Sequence, residues 1–416
     1  MYQTRRELLL EKVQQEYGME CAILLCASVA RHNQVFIQDP TFYYYTGVRS
    51  AGSVCMIYPD GKQVLYIPQY SEIKKQWVYE QEITEEKAKE LGFDALHYAG
   101  DMWKTFESHD QFTAREYIRV IEHLQNLGKQ NIAIACIQRG GALESAAFGV
   151  YEKIVSLSES ILDIKNINVS VVSMRRSKDT YEIEMMYQAI AISADAHEAA
   201  LKAIVPGIHE LEVQAAVEYM FTAQQALQAY PSIVGAGKNS TILHYHAFEQ
   251  NAQMQNDQVV VVDAGALYEG YCADITRTYT TTQFTQRQKD VYAIVLETQE
   301  LVAQHAKPGM YLMNKDFPEQ SLHHIAVKNL EKYGYDKYFP HGIGHFLGMD
   351  VHDCGARTDM LQENDVITIE PGIYIPQEDL GIRIEDNYWI VQDGNVCLSE
   401  GLPKTIQELE DIKSTF

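Results

Sequence analysis

The chain has 416 residues and only seven cysteines, spread singly along it with no CxxC pair. That spacing excludes a zinc ribbon and a thioredoxin-like redox motif. A chain this long needs no disulfide staples, so the cysteines are expected to be reduced thiols of a cytoplasmic protein. Positive charge is also scarce. Lys and Arg number 34 against 57 Asp and Glu, for a net charge of −23. Without clustered basic residues, neither nucleic acid nor an anionic membrane surface is an expected partner. The longest early apolar run, residues 21–30, is about half a membrane span. The apolar stretch nearer the start is only Leu8–Leu10 before Glu11 and Lys12 intervene, so no signal peptide is expected. Three catalytic signatures are missing as well. GxSxG would mark a nucleophilic serine, HExxH a helix-borne zinc, and a Gly-rich phosphate loop a nucleotide site.

What the chain does have is a hydrophobic fraction of 46%, ample for a large core, and a length that suits two domains. Residues 1–172 alternate helix and strand patterns, which predicts an α/β domain. Helices are expected at 4–17, 112–127 and 145–162. Strands are expected at 21–27, 52–58, 63–68, 131–136 and 167–172. Pro59-Asp60-Gly61 reads as a hairpin turn. A boundary falls near residues 172–179, so the second domain is taken as 173–416. A long helix, 180–204, opens it and stops at Pro206-Gly207. A second long helix opens with the capping box Thr285–Gln288 and stops at Pro308-Gly309. Each is followed by another helix (209–229 and 316–333), a loop rich in Gly and His, and a strand hairpin with two carboxylates. The pattern suggests two similar half-domains with a site between them.

The hairpins carry the chemistry. In residues 259–279 the midpoint of Asp263 and Asp274 falls in the turn Tyr268-Glu269-Gly270, which predicts that the two aspartates oppose each other. In residues 366–391 Glu370 and Glu385 bracket the turn 376–379 in the same way. Like charges opposed in apolar strands repel and are poorly solvated. A cation between them removes both problems, and four carboxylates in one cleft call for about two divalent ions. Asp386 alternates to the other strand face and is left out. The run His341-Gly-Ile-Gly-His345 to His352-Asp353 is too rich in glycine for a helix. It is expected to be an irregular loop or bent strand, with one histidine as ligand and two acting beside the metals. Carboxylates with imidazole suit Mn²⁺ best, with Co²⁺, Zn²⁺ and Fe²⁺ as alternatives. Two such ions acidify a shared water, so no nucleophilic serine or cysteine is required. Cys272 reads as a small buried hydrophobe, and His323 and His324 as surface or packing residues.

These segments, namely LHY at 243–245, DAG with DITRT between 263 and 278, HGIGHFLGMDVHD at 341–353, EPGIY at 370–374 and GIRIED at 381–386, resemble those of pita-bread metallopeptidases. Their order and spacing are similar to the aminopeptidase P and prolidase branch. RRELL at 5–9 and FYYYTG at 42–47 extend the likeness to the N-terminal part, although an arginine common before FYYYTG is absent around Ile37. The resemblance implies a creatinase-like N-terminal α/β domain followed by a pita-bread catalytic domain, and a homodimer or homotetramer. It implies two divalent metal ions held by Asp263, Asp274, His345, Glu370 and Glu385. Asp274 and Glu385 would bridge, and Glu370 would also accept the water's proton. It assigns His244, His341 and His352 to substrate and the tetrahedral intermediate, Arg383 to orienting them, and Tyr374 to the pocket. The implied reaction is release of the first residue from peptides with proline second. The alternatives are a dipeptidase of the prolidase type, a hydrolase of another small C–N substrate, and a non-catalytic peptide-binding protein on the same fold.

Overall fold

A computed structural model describes residues 1–30, 35–77, 83–103, 112–140, 143, 145–158 and 162–415. The described chain separates into two compact units, Met1–Met174 and Arg175–Phe416.

The first unit is built on a six-stranded mixed sheet. Its strand order is Ala95–Tyr98, Gln63–Ile67, Val54–Ile57, Cys21–Cys26, Ala133–Cys136, Ile164–Asn166. The central strand Cys21–Cys26 is buried at every position, as its unbroken apolar run requires of a strand covered on both faces. Val54–Ile57 and Gln63–Ile67 pair antiparallel around the expected turn, where Gly61 takes φ 90°. The helices at Tyr2–Tyr17, Ile118–Lys129 and Phe148–Leu157 fall within or close to the expected spans. Residues 159–161 of the expected 145–162 helix lie outside the described residues. The expectation of a strand at 167–172 is wrong: the segment is the helix Asn168–Arg176. Burial explains why. Ile167, Ser170, Val171, Met174 and Arg175 are buried while Val169 is 78% exposed, a spacing of helical period that an alternating strand does not produce.

In the second unit the helix Thr180–Ala203 starts from a capping box formed by Asp179 and Glu182. The helix Gln286–His305 starts from the Thr285–Gln288 box. Glu210–Ala223 and Leu322–Tyr333 follow each in turn. One antiparallel sheet has the order Thr276–Thr280, Val259–Asp263, Ile233–Ala236, and another Val366–Ile369, Asp386–Val391, Gly394–Cys397. The two helix–helix–sheet halves share a continuous apolar core that includes Val217, Val260, Val295, Leu330, Ile367 and Ile382. Among the described residues no helix is long and apolar enough to cross a membrane.

Candidate metal centre

The two carboxylate hairpins differ in register, and the difference corrects one expectation. In the first, Asp263 pairs with Thr276, Leu267 with Cys272 and Tyr268 with Tyr271. The turn is therefore the two residues Glu269-Gly270, both at positive φ, as a tight hairpin with right-handed strand twist requires. Asp274 is thus not opposite Asp263. It lies two residues along, diagonal on the same face, still near enough for mutual repulsion. In the second hairpin Ile369 pairs with Asp386 and Gly372 with Arg383. Glu370 and Glu385 then face each other between the two ladders, as the midpoint predicts. The hairpins meet where Glu385 bridges to Thr276, with Glu385 N–H donating to the Thr276 carbonyl at 3.0 Å. That cross-link brings Asp274 and Glu385 into one cluster.

The histidine segment runs as an extended arm along Val366–Ile369. Glu370 N–H donates to the Ile343 carbonyl, Thr368 N–H to His345 and Leu347 N–H to Val366, each at 2.9 Å. Gly344 is required for this approach, because a Cβ there would stand 2.0 Å from the Thr368 carbonyl oxygen. In extended chain, residues four apart share a face, so His341 and His345 point the same way without a helix. His345 donates from Nδ1 to the Phe346 carbonyl at 3.0 Å. Its Nε2 is left to face Asp274 Oδ2 at 3.3 Å and Glu370 Oε1 at 3.9 Å. Ligand atoms of Asp274, His345 and Glu385 all lie within 4.8 Å of one another.

Asp263 has both carboxylate oxygens engaged, by Tyr230 Oη at 2.6 Å and Arg383 Nη2 at 2.7 Å. Arg383 also donates through Nε to Thr276 Oγ1 at 3.0 Å and through Nη1 to Tyr374 Oη at 2.9 Å. Thr276 in turn donates to Glu385 Oε2 at 2.8 Å. Tyr374 Oη meets His341 Nε2 at 2.9 Å, while His341 Nδ1 sits 2.8 Å from the Gly342 carbonyl. A carbonyl only accepts, so the proton is on Nδ1 and Nε2 accepts from Tyr374. Arg383, Tyr374 and His341 thus form a directed chain. Burial and the Arg383 charge push His341 down to about 3, which keeps it neutral. Rings of His345 and His352 meet edge to face at 4.3 Å. Burial, then the neighbouring His345, lowers His352 to about 4. His244 is exposed on the loop after Ile233–Ala236, in electrostatic reach of His352.

The sequence signal did not single out Tyr230 or Thr276. Nothing in their spacing marks them, because each acts through a partner far away in the chain. Asp386 is on the opposite strand face, as expected. It is held by Arg277 at 2.6 Å, Ser399 at 2.7 Å, Gln299 at 2.7 Å and Lys404 at 2.8 Å. Cys272 is buried, its thiol 3.5 Å from the Met349 carbonyl. His323 packs on Phe339.

The electrostatics fit divalent cations. Burial, together with the neighbouring carboxylates, raises Asp263 and Glu385 and takes Glu370 up to about 7. Such a site takes up either protons or metal ions. The oxygen-rich donor set and a histidine with its second nitrogen tied to a carbonyl are what a hard to borderline divalent ion requires.

Comparison with known proteins gives the same reading. Residues 184–392 match Metallopeptidase family M24, and residues 2–114 match Aminopeptidase P, N-terminal domain. A Xaa-Pro dipeptidase of Pyrococcus furiosus is 30% identical over 91% of this chain and 95% of its own length. A Xaa-Pro aminopeptidase of Escherichia coli is 29% identical over 98% of this chain and 96% of its own. Among solved structures, proline aminopeptidase P II of Yersinia pestis has a TM-score of 0.83 at 26% identity, covering 100% of this chain and 99% of that one. Aminopeptidase P of E. coli with the inhibitor Pro-Leu has 0.81 at 25%, covering 100% and 98%. The fold is therefore an N-terminal domain plus a pita-bread catalytic domain. A family match over half the chain, relatives aligned almost end to end and a buried histidine–carboxylate cluster lead to one assignment: the chain belongs to metallopeptidase family M24, hydrolases of peptide bonds that use divalent metal ions.

Proposed function

We propose that this chain is a Xaa-Pro aminopeptidase, releasing the first residue from peptides with proline second. The observation that carries the reading is the Arg383–Tyr374–His341 chain beside the Asp274–His345–Glu385 cluster. It sets neutral, oriented imidazole next to a site made for cations. In this proposal Asp263, Asp274, His345, Glu370 and Glu385 hold two ions, Mn²⁺ first among the candidates. When bound, the ions supply Lewis acidity toward the scissile carbonyl and an acidified water.

The chain's own residues do the rest. Glu370, its Oε1 3.9 Å from His345 Nε2 at the edge of the cluster, is placed to accept the water's proton. His352 stabilises the developing oxyanion and attends the leaving amine, while His341, its N–H given to the Gly342 carbonyl, and His244 position the substrate. Tyr374 and Arg383 lock His341 in one tautomer. An Xaa-Pro bond has no N–H and a well-populated cis form, so recognition by side chains in place of backbone pairing suits it. The domain division proposed is 1–172 and 173–416, the second part catalytic. Seven unpaired cysteines, six of them buried, support a cytoplasmic, reducing location, and the proposed assembly is a homodimer or homotetramer.

The test is hydrolysis of Arg-Pro-Pro and Ala-Pro after chelation and after Mn²⁺ is restored. Mn²⁺-dependent release of Arg from the tripeptide is the expected result. Cleavage of the dipeptide alone would move the assignment to a Xaa-Pro dipeptidase, the reading favoured by the Pyrococcus furiosus relative. Cleavage of neither, with metal bound, would refute both. The full set of five donors counts against a non-catalytic binding protein.

A further inference from the structure

The loop that carries His244 is organised by one buried carboxylate. Glu210, the first residue of the helix Glu210–Ala223, is fully buried. Its Oε1 accepts from Ala236 N–H at 2.8 Å and Asn239 Nδ2 at 3.0 Å. Its Oε2 accepts from Tyr245 Oη at 2.6 Å and Ala252 N–H at 2.8 Å. Asn239 Nδ2 also donates to Tyr245 Oη at 2.9 Å, and Leu211 N–H to Asn251 Oδ1 at 3.0 Å. These four partners of Glu210 are neutral. They include the residue before the 237–252 loop, two residues within it and its last residue. The segment has only two short helical turns of its own, Gly237–Thr241 and Ala247–Gln250, and its ends and middle converge on one anion.

Burying a carboxylate costs more than burying an apolar side chain of similar size. Stability alone is therefore a poor account of this residue, whereas fixing a loop conformation is a good one. The opposite side of the loop is fixed too. Ser240 Oγ accepts from Gly381 N–H at 2.8 Å, and a Cβ on Gly381 would stand 2.0 Å from the Ser240 carbonyl oxygen. Gly381 belongs to the strand that ends at Arg383. Tyr245 is 2% exposed, while His244 and His246 on either side are exposed. Anchoring Tyr245 therefore determines where His244 stands relative to Arg383.

We propose that Glu210 is a positioning residue for the reaction, pinning the 237–252 loop so that His244 is presented to substrate. The inference rests on the reading that His244 touches substrate.

The test uses the Mn²⁺-loaded enzyme, with Glu210→Gln, His244→Ala and the double variant assayed on Arg-Pro-Pro, and amide hydrogen exchange across 237–252. A glutamine keeps one acceptor but turns an N–H₂ toward groups that are themselves donors. Glu210→Gln is expected to keep its metal, to exchange faster in 237–252, and to lose about 10²-fold in kcat/KM, the scale of a ~1 Å misplacement. On the His244→Ala background it should cost no more than about twofold further. Wild-type activity in Glu210→Gln, or a loss that multiplies in full on His244→Ala, would overturn the inference. Wild-type activity in His244→Ala would instead overturn the substrate-binding reading and the inference with it. If Glu210→Gln does not fold, Tyr245→Phe removes one donor and should cost about tenfold; an unchanged kcat/KM there would equally overturn it.

Discussion

Removing the metal ions should change how the stability of the catalytic unit depends on pH. Glu370 without metal is taken from 4.5 up to about 7 by burial, against the attraction of His345 and Arg383 and with the repulsion of Asp274 and Asp263. At Glu370 the folded chain then binds more protons than the unfolded chain between pH 4.5 and 7, whereas at His341 and His352, lowered to about 3 and about 4, it binds fewer up to about pH 6.5. Stability falls with rising pH wherever the folded state binds more protons. For Glu370 alone the loss across that window is ~3 kcal/mol. Asp263 and Glu385 are raised as well, so they add in the same direction. With metal bound, the same carboxylates are ionised, and protons compete with metal. The lowered histidines act in both forms, so the stability added by bound metal should grow as pH rises through that window. The assay is urea unfolding of chelated and Mn²⁺-loaded protein at several values from pH 4.5 to 7.5, followed by a probe of the catalytic unit alone, since two units need not unfold together. Titration of Mn²⁺ into chelated protein near pH 6 in two buffers of different ionisation enthalpy gives an independent reading, with about one or more protons expelled. A stabilisation by Mn²⁺ that does not grow from pH 4.5 to 7, or metal binding with no buffer dependence, would refute the reasoning.

Three further outcomes follow from the same geometry. Asp274→Ala and Glu385→Ala should lose metal and activity together, measured by bound-metal analysis and peptide hydrolysis; full activity in either would end the two-metal argument. His352→Ala should keep its metal while kcat falls by ~10²-fold or more, as for a lost oxyanion donor; loss of metal would show that His352 is a ligand. Asp386→Ala should cost ~3–5 kcal/mol of stability, measured by denaturant unfolding, because it strands the buried Arg277 guanidinium and the Lys404 ammonium.

How much of this site could be read from the chain alone depends on whether a feature is local or spans the fold. The Glu370–Glu385 pairing was legible because the loop 376–379 closes symmetrically between Ile375 and Leu380, so a midpoint locates the turn. The Asp263–Asp274 pairing was misread by the same arithmetic. The residues 268–270 suggested a turn, but only Glu269 and Gly270 form it, and that choice moves the midpoint by one residue and the partner by two. The helix boundaries were legible where caps are written in the sequence, at Asp179 and Thr285. The helix Asn168–Arg176 was not, because its valines and the preceding Ile167 favour strand locally, and only burial against its surroundings decides the period.

Thr276 shows why the remainder was out of reach. It is an ordinary residue of a β-branched strand, and its neighbours give no hint of catalysis. In the folded chain it pairs with Asp263 on one side and bridges to Glu385 on the other. Its hydroxyl accepts from Arg383 and donates to Glu385. One hydroxyl thus links the guanidinium that holds Asp263 to the carboxylate that completes the cluster. A hydroxyl can both accept and donate, whereas the methyl of valine does neither. Thr276→Val therefore keeps the shape of the strand but leaves Arg383 Nε and Glu385 Oε2 without this partner. Thr276→Ser keeps the link. The expected result is weaker metal binding in the valine variant, by the ~10–100-fold that groups orienting metal ligands are worth, with near-normal binding in the serine variant. Equal affinities in the two, measured by competition with a chelator, would mean that the hydroxyl carries no part of the site.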